Sequence, residues 1–150
     1  MLDLSLSCTS VFKKQLDHLQ KKHHQYGSIC ADIYAFLSNQ NKNSIFEQQE
    51  FIDNKPPHYR VIKLRLGISC FNKSEREGFR LYYNVLNKDD KTSVCLLYIY
   101  PKTGSYGINN INKQFIKDQT ALFASEKKDN KLIEVSLDSE NRTILFNTSH

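Results

Sequence analysis

YRVIKLRL (Tyr59 to Leu66), GFRLYYNV (Gly78 to Val85) and VCLLYIYPK (Val94 to Lys102) read as three consecutive strands of one sheet. In a strand, residues two apart share a face. Lys63 and Arg65 therefore point one way, and Ile62, Leu64 and Leu66 the other. In the second run Arg80, Tyr82 and Asn84 oppose Leu81, Tyr83 and Val85. A sheet with one aliphatic face and one face of Lys, Arg and Tyr is suited to a phosphate backbone; the same pattern also decorates ordinary solvated sheets. The third run is apolar on both sides, with Cys95, Leu97 and Ile99 set against Leu96 and Tyr98, and is expected inside the sheet.

Upstream, Leu2, Leu4 and Leu6 alternate with polar residues, as in a short half-buried strand. Thr9 or Ser10 can cap a helix carrying Phe12, Leu16, Leu19 and His23 on one side, with Lys13, Lys14, Lys21 and Lys22 on others. Tyr26-Gly27 interrupts it, and Ser28 opens a second helix with an Ile29, Ile33, Phe36 and Leu37 stripe. The pair reads as a helical hairpin laid on the sheet. Residues 39–58 are polar, end in Pro56-Pro57 and read as a loop with one short ordered piece around Ile45 to Phe51. The connection from Gly67 to Glu77 is long for a hairpin and is expected to project and move. NKDDKT (Asn87 to Thr92) is a turn signal. After Gly104 and Gly107, Ile108, Ile111, Phe115 and Ile116 suggest a helix that Leu122-Phe123 extends. LIEVSLDSENRTILFN (Leu132 to Asn147) reads as a β-hairpin about a Ser-Glu-Asn turn. The predicted order is β-α-α-β-β-β-α with a C-terminal hairpin.

With 150 residues the chain is long enough for one domain with a core. Its formal charge of +5 favours an anionic partner such as nucleic acid. No apolar run approaches the ~20 residues of a membrane span, and MLDLSLSCTS lacks the basic-then-apolar order of a signal peptide. Cys8, Cys30, Cys70 and Cys95 form no CxxC pair and are expected as reduced thiols in a cytoplasmic protein. His23-His24 are adjacent and diverge on a helix, so neither a metal nor another cofactor is expected.

Taken in order, FKKQLDHLQKK (Phe12 to Lys22), YRVIKLRL, GFRLYYNV, LLYIYPKTG (Leu96 to Gly104) and INNI (Ile108 to Ile111) resemble the RelE/ParE toxin superfamily of bacterial type II toxin–antitoxin modules. The resemblance covers about residues 2–117. It implies an α+β fold, a small twisted antiparallel sheet with an N-terminal helical hairpin packed on one face and chemistry on the opposite, concave face. Residues 1–118 would form the toxin domain, and 119–150 a hairpin extension packed on it.

One branch of the superfamily cleaves messenger RNA on the ribosome, using the 2′-hydroxyl against its own phosphate. A second poisons DNA gyrase without cutting RNA, and other relatives have little toxicity. A cognate antitoxin is the partner in each case. Such cleavage needs a base, an acid and cations against charge growing on the phosphoryl oxygens. Carried over by position, the resemblance implies a base or transition-state role for Lys63, phosphate contact for Arg65, and stabilisation of the pentavalent phosphate by Arg80. Lys102 matches a basic position ending the third strand, while Tyr100 or Tyr106 would stack on a base or donate a proton. Tyr82, Lys13 and Lys14 are further RNA-contact candidates. Two positions depart: Thr103 and Val61 stand where the strongest nucleases carry basic residues. Arg80 could instead form a structural ion pair across the sheet with Glu75 or Glu77.

Overall fold

Residues 4–48, 51–55 and 58–147 are described in the computed structural model, residues 51–55 by their backbone alone. Leu2, Pro56 and Pro57 lie outside them. Strand β1 (Leu4–Cys8) leads into α1 (Ser10–Gln20). Thr9 caps α1, its Oγ1 accepting from the Phe12 amide at 3.1 Å. Phe12, Leu16 and Leu19 form the buried stripe. A single turn, α2 (His23–Tyr26), precedes α3 (Ile29–Leu37), and α4 (Lys42–Phe46) follows behind an Asn41 capping box. The expected helical hairpin is thus replaced by a broken succession. Lys22 leaves the helical region at φ −88°, ψ 65°, and Tyr26 is buried against Phe79 and Phe71.

The remaining strands are β2 (Phe51–Lys55), β3 (Tyr59–Leu66), β4 (Phe79–Lys88), β5 (Lys91–Pro101), β6 (Ile133–Asp138) and β7 (Thr143–Asn147). Helix α5 (Lys113–Lys128) starts at an Asn112 cap. The seven strands lie in the order β2-β3-β4-β5-β1-β6-β7. The sheet is mixed, not antiparallel, because β1 pairs parallel with β5 while β6 runs antiparallel on its other side. The physical cause is the crossover: the chain leaves β1 through the helices and returns by an antiparallel meander, whose last strand arrives pointing the same way as β1. Strand β2 occupies an edge in what reads as a polar loop.

Both expected faces are populated. Ile62, Leu66, Phe79, Leu81, Tyr83, Val85, Leu96 and Ile99 join α1 and α3 in the main core. Helix α3 touches both β3 and β7, so the sheet wraps around the helices. The terminal hairpin adds Val135 and Ile144 to this same core, and the boundary expected at residue 118/119 falls inside α5. On the other face α5 lays Ile116 over Val61, Tyr82, Cys95, Leu97 and Tyr100. Its buried Glu126 reaches α1, with Oε1 accepting from the Ser10 amide at 2.9 Å.

The Gly67–Glu77 connection is anchored along its length. Ile68 is fully buried and pairs both ways with Lys73, at 3.0 and 3.1 Å. The Ser69 amide donates to Asp32 and the Cys70 amide to Ser28, tying the segment to the start of α3. Burial of Ile68 and these bonds oppose the projecting loop expected from composition.

All four cysteines are free thiols. Burial pushes Cys8 and Cys95 up, Cys95 to about 12, and half-burial raises Cys30 to about 11, whereas Cys70 is exposed. Brief alkylation of the native protein near neutral pH is expected to label Cys70 first, and Cys8 and Cys95 only after unfolding. Peptide mapping by mass spectrometry checks the order; early labelling of Cys8 would contradict the packing of β1 under α1.

Candidate functional site

The outer face of β3, β4 and β5 carries two cross-strand rows. Arg65, Arg80 and Tyr100 are in register in one; Lys63, Tyr82 and Tyr98 are in register in the next. Simple alternation along β5 does not give this result. Tyr82 pairs with Tyr98 but Tyr83 pairs with Leu96, so Leu97 is an extra, bulged residue. The bulge inverts the alternation beyond it. Ile99 turns into the main core with Leu96, and Tyr98 and Tyr100 turn outward with Cys95 and Leu97, correcting the sequence pairing of Ile99 with Cys95 and Leu97.

Within the rows, exposure separates the side chains. Arg65 is exposed and Lys63 half-buried, its Nζ 6.0 Å from the centre of the Tyr82 ring. Tyr82 is 2% exposed and Tyr100 0%, stacked at 6.3 Å beneath α5. Both rings are buried and closed to a stacking base. Tyr98, half-buried, meets Phe115 edge-on at 4.7 Å, and burial raises its phenol above the ordinary range.

Arg80 is 4% exposed. Its Nη1 donates to the carbonyls of Glu75 at 2.8 Å and Phe79 at 3.3 Å, and its Nη2 to that of Arg76 at 2.6 Å. These bonds go to main-chain oxygens, not to the Glu75 or Glu77 carboxylates of the ion pair weighed for Arg80. Lys102 follows β5 and donates from Nζ to the Asn109 carbonyl.

The other candidates stand elsewhere. Tyr106 packs on the helix side, with His18 stacked at 4.5 Å, Tyr26 at 6.1 Å and Lys22 Nζ 5.5 Å from its centre. The Tyr26 hydroxyl accepts from the Tyr106 amide and donates to the Thr103 carbonyl. Lys13 pairs with Asp17 at 2.7 Å and lies over the Phe146 ring, and Lys14 is exposed on the same helix. The structure therefore gathers Lys63, Arg65, Arg80, Tyr82 and Tyr100, keeps Lys102 at the end of that face, and separates Tyr106, Lys13 and Lys14 from it.

Sequence reading passed over Arg76, exposed on the 3-10 turn Glu75–Glu77, because that segment carries no strand or helix pattern. It also passed over Gln119, which faces inward from α5, 7% exposed, with Oε1 lacking a hydrogen-bond partner among the described residues. Gln119→Leu removes a buried unsatisfied acceptor and is expected to raise stability by about 1 kcal/mol in urea unfolding. A loss would mean that the amide has a partner. No group of three His, Cys, Asp or Glu side chains able to hold a metal occurs among the described residues.

The fold and face define an α+β domain with a mixed, wrapped sheet and a cationic outer row. No family model matches this chain, and neither a curated protein nor a solved structure matches it. Among the described residues no helix is long and apolar enough to cross a membrane.

Proposed function

We propose that this chain is the toxin of a bacterial type II toxin–antitoxin module, acting in the cytoplasm as a ribosome-dependent endoribonuclease on messenger RNA. The observation that carries the reading is the cross-strand register that puts Lys63 and Arg65 on one face beside Arg80. Lys63 takes the base or charge-stabilising role at the 2′-hydroxyl, and Arg65 contacts the phosphate. The bound message supplies its own nucleophile, so the protein's work is positioning and charge stabilisation. The cognate antitoxin is the second partner and silences the protein. In a cell-free translation reaction, primer extension is expected to reveal cuts that follow the reading frame. A message left intact by folded protein would refute the nuclease.

A second reading, a non-cleaving gyrase inhibitor, is favoured by one observation. Arg80, the residue assigned to the pentavalent phosphate, spends three donated bonds on main-chain carbonyls. Inhibition of supercoiling without RNA cuts would select it.

A further inference from the structure

The turn between β3 and β4 is held by a run of hydrogen bonds. Four consecutive carbonyls, those of Glu75, Arg76, Glu77 and Gly78, each accept one from Arg80 of β4 or from the two residues that follow β5. Arg80 donates to the first two, at 2.8 and 2.6 Å. Thr103 Oγ1 donates to Glu77 at 2.9 Å, and the Lys102 amide to Gly78 at 2.9 Å. With the carbonyls held inward, the Glu75, Arg76 and Glu77 side chains are all exposed. Arg65 is exposed too, on the neighbouring strand, where it is in register with Arg80.

We propose that Arg80 and Thr103 are positioning residues whose task is to clamp this turn, and that Arg76 on the clamped turn contacts a backbone phosphate of the bound RNA together with Arg65. This rests on the nuclease reading above for its ligand, and adds residues and a division of labour to it. Three arguments support the assignment. A guanidinium that is 4% exposed and already bonded to three carbonyls is poorly placed to receive a phosphate. An exposed guanidinium on an immobilised turn loses little further backbone entropy when it binds. The hydroxyl at Thr103 is used by the clamp, its Oγ1 donating to the Glu77 carbonyl. Glu75 and Glu77 flank Arg76 and oppose the approach of a polyanion, so the contact is to one phosphate and neutralising either carboxylate strengthens it.

The test measures binding of the full chain to a fluorescent single-stranded oligoribonucleotide across a salt series, beside hydrogen exchange of the free protein. Each phosphate contact on single-stranded RNA contributes about 0.7 to the slope of log affinity against log salt. Arg76→Ala is expected to remove about that much slope with an unchanged melting temperature. Glu77→Gln is expected to tighten binding. Arg80→Lys is expected to speed exchange at the Glu77 and Gly78 amides and to lose the same slope, with the Arg76→Ala/Arg80→Lys double variant losing no more. Wild-type slope in Arg76→Ala would overturn the proposal while leaving the nuclease reading intact. Absence of RNA binding by the wild-type chain would remove the ligand from both. Unchanged exchange in Arg80→Lys would overturn the clamp independently of RNA.

Discussion

Lys63→Met is expected to lower frame-dependent cleavage of a translated message by about 100- to 1,000-fold, the usual consequence of losing a proton-transfer group or a transition-state cation. Methionine preserves much of the apolar stem of half-buried Lys63, so the fold should survive. Circular dichroism and the melting temperature check this. Lys63→Arg separates the two roles. Arginine keeps the charge but cannot give up its proton in water. Recovery of cleavage would make Lys63 a charge stabiliser, and continued loss would make it the base. Wild-type activity in Lys63→Met would end the assignment of this row as the active one.

Gly78→Ala carries the largest expected effect on stability. A Cβ at residue 78 would overlap the Leu66 carbonyl oxygen and crowd the Gly67 Cα. Both obstacles are backbone, so no side-chain rotation relieves them. The strands must part at the point where Phe79 pairs with Leu66 and with Pro101. Destabilisation on the order of 3 kcal/mol is expected in urea unfolding. The Gly78 carbonyl also accepts from the Lys102 amide, so the turn below Arg80 should loosen in the same variant. Unchanged stability would show that β3 and β4 do not approach this closely. Glycine in the Gly-Phe-Arg piece thus serves strand approach, and its neighbour Arg80 serves the turn.

Much of the architecture was legible because its causes are local. Period-2 alternation identified β3 and β4 and assigned Lys63 and Arg65 to one face. The Thr9 cap, the apolar stripe of α1, the Asn87–Thr92 turn and the terminal hairpin each follow from residues within one or two turns of chain. Strand β2 was missed because it lies in a polar stretch without a clean alternation, and it owes its state to pairing with β3. The α2 turn escaped for a similar reason: its one buried side chain, Tyr26, is fixed by contacts with distant Phe71, Phe79 and Tyr106.

By itself the sequence determined the runs of β3 and β4 with their facing sets of cations and aliphatics, the first helix and the closing hairpin, since side-chain alternation and capping are properties of neighbouring residues. Tertiary structure alone decided the parallel pairing of β1 with β5, which depends on where a long crossover returns. It also decided the bulge at Leu97 that turns Tyr98 and Tyr100 outward, the burial of Tyr82 and Tyr100 beneath α5, and the bonding of Arg80 to the turn. In each of these the controlling contact comes from a different segment of chain. One inserted residue in a strand reverses every face beyond it, and whether a cation meets solvent or a carbonyl depends on what packs above it.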